Sequence, residues 1–279
     1  MKPPSLAIAA AAALCLPQAL EAQGVPPAPA LSYADLADLA LAAPVVVHVR
    51  VEDADLLSDR ETSGVPAGHR RFLIEAQVVA LIRGEGGLPA EIGYLVDLPD
   101  DARGRRARVR RGTEYLVLAS RVPGRPGELR LAAPDAQLAF SPAAAERLRS
   151  ILRESLDRGA PPPITGIGRA FHVPGSLPGE SETQIFLQTA DDRPISLIVL
   201  RRPGERPLWS AALGDIIGDV GPPPRADSLL WYRLACTLPP ALPAQSLSEA
   251  GPGEAQAIRA DYRLVLDGLG RCVRHRPRP

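Results

Sequence analysis

The side chains with the most chemical potential in this sequence are arginines. Arg103, Arg105, Arg106, Arg108, Arg110 and Arg111 place six guanidinium groups in nine consecutive positions. In an extended segment successive side chains alternate, so Arg106, Arg108 and Arg110 would share a side. Forked donors of this kind match carboxylate and phosphate groups, which points to an acidic glycan, lipopolysaccharide or the acidic face of an envelope protein. The competing reading is a solvated strand edge guarded by charge, with Asp97, Asp100 and Asp101 close enough in sequence to neutralise it. Lys2 is the only lysine of the chain. That usage fits a GC-rich, bacterial coding sequence, and it lowers the information carried by any one arginine cluster.

Other chemistry is sparse. His48, His69, His172 and His275 stand at no metal-ligand spacing from one another or from the later cysteines, and Asp53 with Asp55 is too common a pair to define a metal site. No metal or cofactor is therefore expected. Ser63-Gly64 and Ser181 lack the Gly-x-Ser-x-Gly elbow of a hydrolase. Gly166-Ile167-Gly168 is followed by no third glycine at the dinucleotide spacing. Trp231-Tyr232-Arg233 could form a stacking platform, but in a chain only 4% aromatic such residues fill a core. Catalytic residues: none can be named.

The elements that must position these groups begin with a leader. Lys2 precedes an apolar run, Leu6 to Leu16, that is too short to cross a bilayer at roughly 20 residues. Pro17 breaks it and Ala22 offers the small residue that signal peptidase requires, so residues 1–22 read as a signal peptide and the protein as periplasmic or extracellular. Leu14 before Cys15 is wrong for lipid attachment. Removing the leader takes one charge of each sign from a balanced total of 32 basic and 32 acidic residues, which argues against bulk attraction to nucleic acid or anionic membrane. Cys15 leaves with the leader. Cys236 and Cys272 remain, and in an oxidising compartment the pair is expected to form a disulfide.

Residues 23–43 read as a proline-rich lead followed by a short helix capped by Ser32 and ended by Pro44. Val45 to Val51 alternates as a strand, with Val45, Val47, Val49 and Val51 on one side and His48 and Arg50 on the other. From Arg70 to Ser120 three apolar runs separated by glycine or charge read as a β-meander. Glu128 to Leu131 adds a strand. Ser141-Pro142 starts a helix carrying Leu148, Ile151, Leu152 and Leu156, closed by Gly159. Pro161-Pro162-Pro163 then separates a domain over 44–160 from a second β-rich domain over 164–279. Its expected strands are Thr183 to Thr189, Pro194 to Leu200, Leu208 to Leu213 and Leu229 to Leu234. A final helix runs from about Gly253 to Leu266, with Gly268 as its stop. Cys236 then stands at a strand end and Cys272 just past this helix, so their bridge would staple the helix onto the second sheet.

From Pro44 to Leu152 the order of elements resembles the netrin-type module of the tissue inhibitors of metalloproteinases, an oligonucleotide/oligosaccharide-binding (OB) barrel. The likeness rests on the strand Val45–Val51, a strand ending Arg83-Gly84, the strand from Ile92 to Val96, Gly112-Thr113-Glu114-Tyr115-Leu116, and a closing helix. It implies a five-stranded barrel. It does not imply protease inhibition by chelation, because those inhibitors use an N-terminal cysteine and many disulfides, while this chain would begin at Gln23 with no cysteine before Cys236. The fold expected is mainly β (α+β): an OB-like five-stranded barrel with closing helix, followed by a second β-rich domain and a C-terminal helix. The function expected is a non-enzymatic binding module for an envelope protein or acidic glycan, neither nucleic-acid binding nor membrane-spanning. The alternatives are a hydrolase-type envelope enzyme with a site invisible in sequence, or a non-chelating protease inhibitor.

Overall fold

A computed structural model describes residues 31–58, 63–101, 103–214 and 221–276. The leader and most of the proline-rich lead lie outside the described residues. Ser32 caps α1 (Tyr33–Ala42) through a reciprocal box with Asp35, which satisfies two otherwise orphan donors. β1 (Val45–Leu56) follows, then β2 (His69–Arg83), β3 (Glu91–Pro99), β4 (Glu114–Val122), β5 (Arg125–Leu131), a short β6 (Gln137–Ala139) and α2 (Pro142–Leu156).

The expected meander holds only as far as the β2–β3 hairpin. β4 does not lie beside β3; it pairs with β1 and β5, and β3 pairs with β5 in parallel, so the sheet runs β1-β2-β3-β5-β4 and closes back on β1. The physical reason lies in the connections. β4 and β5 are joined by a tight turn at Gly124 (φ 76°), whereas a long segment, residues 100–113, carries the chain from β3 across to β1. The result is the five-stranded OB-type barrel. Alternation fills it: Val45, Val47, Val49 and Val51 of β1 point inward with Phe72, Ile74, Tyr94, Val96 and Val117. His48 points out as expected, flat against Phe140 at 3.8 Å.

Beyond α2 the chain forms a second, four-stranded antiparallel sheet, ordered β10-β9-β8-β7. Its strands are β7 (Ile164–Pro174), β8 (Ser181–Thr189), β9 (Ile195–Arg201) and β10 (Leu208–Leu213). β7 contains the Gly-Ile-Gly run and is irregular at Gly166 and again before Ala170, which is why no strand period shows in its sequence. α3 (Leu229–Ala235), a 3₁₀ turn at Ala244–Leu247 and α4 (Pro252–Leu269) complete the fold. One cluster of buried side chains joins α1, α2, the inner face of the second sheet, α3 and α4 to the outside of the barrel. Residues Leu31–Pro279 form one compact unit, so packing runs on across the triple proline.

Four local expectations are corrected. Leu229 to Leu234 is helix, not strand: Ser228 accepts the Trp231 N–H, and Leu229, Trp231 and Leu234 are buried. A six-residue apolar run does not distinguish the two by period. Leu156 is 73% exposed, because the α2 backbone ends there and turns away at Asp157. Gly268 does not stop α4; Gly270, at φ 71°, does. Cys236 therefore caps α3 rather than ending a strand, and the Cys236–Cys272 disulfide, with α-carbons 5.1 Å apart, ties α3 to the tail beyond α4 rather than α4 to the sheet.

That tail, residues 271–276, is strapped to α1. Asp35, fully buried, accepts the backbone N–H groups of His275 and Arg276. Asp38 accepts from Arg274 Nε at 2.7 Å and from the Tyr232 hydroxyl at 2.6 Å. Arg276 pairs with Asp135 at 2.6 Å. Among the described residues no helix is long and apolar enough to cross a membrane.

Candidate binding surface

The arginine segment lies in the long β3–β4 connection. Asp101 folds its first half into a tight turn: its carboxylate accepts the N–H groups of Arg103 and Arg105 at 2.9 and 2.8 Å and Arg105 Nε at 2.6 Å. Gly104 supplies the positive φ of 69°. These bonds, the Arg105 backbone first and its side chain next, hold the Asp101 carboxyl below the usual carboxylate range. The second half is extended. Ala107 and Val109 turn toward the barrel core, while Arg106, Arg108 and Arg110 are exposed on the other side. Gly112 N–H to Val51 C=O, 2.7 Å, and Val51 N–H to Thr113 C=O, 2.9 Å, pin its end to β1.

Two of the three acids expected to neutralise this segment are engaged elsewhere. Asp97 is taken by Arg71, its cross-strand partner on β2, at 2.7 Å, and Asp100, just past the end of β3, by Arg70 of β2 at 3.2 Å. Arg105 pairs with Asp101. Among the described residues no acidic side chain pairs with Arg103, Arg106, Arg108, Arg110 or Arg111. Arg106 also lines a cleft of about 720 Å³ at this end of the barrel, with Leu57, Pro66, His69 and Arg70 on its other walls. Among the described residues the outcome is a row of guanidinium groups without ion pairs, with Arg106 at the edge of a cleft, a geometry that attracts extended polyanions.

Among the described residues a convergence of groups that looks catalytic lies on the second sheet, and sequence reasoning missed it because its members come from four separate elements. Thr183 donates its hydroxyl to Asp261 Oδ2 at 2.5 Å. Its oxygen therefore accepts from His172 Nδ1, 2.8 Å away. Arg201 donates to Asp261 Oδ1 from Nε at 2.8 Å and Nη2 at 2.5 Å. Thr183 is fully buried and Asp261 is 1% exposed, so the hydroxyl cannot meet a substrate. The chain of bonds fastens α4 to β7, β8 and β9, with the buried carboxylate neutralised by a guanidinium.

The remaining histidines have structural surroundings. His48 bonds Glu114 at 3.0 Å, and Arg50 grips the same carboxylate at 2.8 Å; Arg50 first and His48 second hold the Glu114 carboxyl below its usual range. His69 Nδ1 is 3.3 Å from the Ala67 carbonyl. Among the described residues no three His, Cys, Asp or Glu groups are placed to hold a metal ion. Trp231 packs edge-on to Tyr33 and donates Nε1–H to the Leu269 carbonyl at 2.8 Å, a core role. No family model matches the chain, and no curated protein matches it either.

Proposed function

We propose that the chain is an exported, non-enzymatic binding module that recognises an acidic surface, an envelope protein or an acidic glycan, through the Arg103–Arg111 segment. The observation that carries this reading is the diversion of Asp97 and Asp100 to β2 arginines, which leaves Arg106, Arg108 and Arg110 exposed and, among the described residues, without ion pairs, with Arg106 at the barrel cleft. Solvated edge protection would tolerate local neutralisation; a recognition strip needs its guanidinium groups unpaired. Export rests on the Lys2 and Leu6–Leu16 leader with cleavage after Ala22, and the Cys236–Cys272 bridge fits an oxidising compartment.

The test compares the protein with its Arg106→Gln/Arg108→Gln/Arg110→Gln variant for retention on immobilised dextran sulfate and on envelope extract, over a salt gradient. The variant is expected to elute at clearly lower salt and to lose envelope retention. Equal elution of the two proteins overturns the reading. N-terminal sequencing of exported protein is expected to start at Gln23.

A further inference from the structure

The barrel is closed on four of its seams and nearly open on the fifth. β3 and β5 pair over only Gly93↔Glu128 and Tyr94↔Leu129, compared with nine residue pairs between β2 and β3. Beyond Tyr94 the two strands diverge. The bonds on either side determine which backbone groups face the gap. Val78 N–H donates to Ala90 C=O, and Asp100 N–H to Gly68 C=O. Even-numbered β3 residues therefore bond β2, and Leu95 and Asp97 turn toward β5. Likewise Ala132 N–H donates to Leu118 C=O, so Leu131 turns away from β4 toward β3. Among the described residues the Asp97 and Leu131 peptide groups have no strand across from them.

A groove of about 760 Å³ opens along this seam. Leu73, Leu95, Leu131 and Pro134 make it largely apolar, and Leu95 is 47% exposed. At the rim Arg71 is occupied by Asp97 and Arg125 by Glu128. Arg130, also on the rim, has no ion pair among the described residues. Unpaired strand edges on both sides, an apolar floor and one uncommitted cation define a slot for a further strand.

We infer that the β3–β5 seam binds an extended peptide segment as an added strand, antiparallel to both neighbours, with apolar residues alternating with at least one acidic residue that reaches Arg130. The segment gains ladder hydrogen bonds from the Asp97 and Leu131 peptide groups. Its alternate side chains cover Leu95 and Leu131. The span from Leu95 to Pro99 accommodates about five residues at roughly 3.3 Å each. This site is separate from the arginine strip and uses different chemistry, backbone pairing in place of bulk charge.

The probe is a fluorescein-labelled heptapeptide of alternating valine and glutamate with blocked ends, titrated by anisotropy against the full exported chain, with ¹⁵N spectra recorded in parallel. Saturable binding is expected, with shifts and slowed exchange at the Asp97 and Leu131 amides. A peptide N-methylated at alternate residues is expected to bind at least tenfold more weakly. Arg130→Glu is expected to weaken the glutamate peptide at least fivefold and to favour a valine–lysine peptide instead; equal thermal melting confirms its fold. The inference is overturned by no saturation up to about 1 mM, an affinity of only about 4 kcal/mol, by equal binding of the N-methylated peptide, or by shifts confined to residues outside the seam. The same titration on the Arg106/Arg108/Arg110 variant separates the two sites, since loss of binding there assigns the peptide to the strip and overturns the seam.

Discussion

Breaking the Cys236–Cys272 bridge is expected to remove about 4 kcal/mol of stability. The two cysteines are 36 residues apart in sequence, and the chain-entropy relation for a loop of that size gives about 3.8 kcal/mol. Native stabilities run roughly 5–15 kcal/mol, so the loss is a large fraction of the whole. Its structural route is specific. The bridge anchors the tail whose Arg274, His275 and Arg276 hold α1 through Asp38 and Asp35, with Arg276 also pairing to Asp135 between β5 and β6, and α1 sits in the cluster that joins the two sheets. The assay is urea unfolding of the Cys236→Ser/Cys272→Ser variant without reductant. Fluorescence serves as the signal, since Trp231 donates to Leu269 three residues before Cys272 and reports on this region. With a slope of about 3 kcal/mol/M for a chain of this size, the midpoint should fall by about 1.3 M. Wild-type protein in dithiothreitol should fall by the same amount, and mass spectrometry of protein prepared without reductant should find no free thiol at Cys236 or Cys272. A loss below about 1 kcal/mol, or no response to dithiothreitol, would refute the reasoning by showing that the tail is held without the bridge.

Asp261→Ala should cost about 3–5 kcal/mol in thermal or urea unfolding, because it strands Arg201 and Thr183 beside a buried cavity; a loss under about 1 kcal/mol would mean α4 is held by apolar packing alone. Gly268→Ala tests a close approach. At an open helical site alanine would add about 0.5–1 kcal/mol, but here its Cβ would lie 2.5 Å from Trp209 Nε1. A loss of about 1–3 kcal/mol from overpacking is expected instead, and a gain would show that the indole moves aside. For Asp35, burial alone would raise the carboxyl pKa, but the His275 N–H, the Ser32 donors and the Arg276 N–H outweigh it and hold the carboxyl below its ordinary value. A depressed folded pKa stabilises fully above the ordinary value, about 3.9, and the contribution is lost as pH falls through the folded one. Exchange of the His275 and Arg276 amides should therefore accelerate below about pH 4, and Asp35→Asn should remove that step; exchange that does not change with pH would sink the assignment.

Much of the fold could be read wherever one period dominated. The valines of β1 alternate over seven residues, and the Ser141-Pro142 start of α2 carries both cap and first-turn signals. The mainly β character, the closing helix, the second sheet and the C-terminal helix follow from such segments, whereas the five-stranded barrel is implied by the netrin-type resemblance and not by any period, which suggests a meander. What could not be read depended on partners far away in sequence. Whether β3 passes to β4 or to β5 is decided by parallel pairing of Gly93 and Tyr94 with Glu128 and Leu129, which leaves no local mark. α3 is seven residues long, too short for its period to outvote the β-like composition of Leu-Leu-Trp-Tyr. β7 hides behind two glycines that serve bulges.

The candidate site shows the same division, with a sharper consequence. The arginine strip was visible as composition, but its charge state was not, because neutralisation depends on where Asp97 and Asp100 point. Local proximity favours the strip; the β2–β3 register sets Arg71 directly across from Asp97. The register prevails for a physical reason: a cross-strand carboxylate meets its partner on a rigid, paired scaffold, with little side-chain entropy left to lose, whereas an exposed connection would have to be ordered to compete. Pairing within the sheet thus draws negative charge inward from the loop, and the same register leaves the Asp97 peptide group facing an unfilled seam. The β2–β3 register therefore fixes both which way the Asp97 carboxylate points, toward Arg71, and which way its peptide group faces, toward β5.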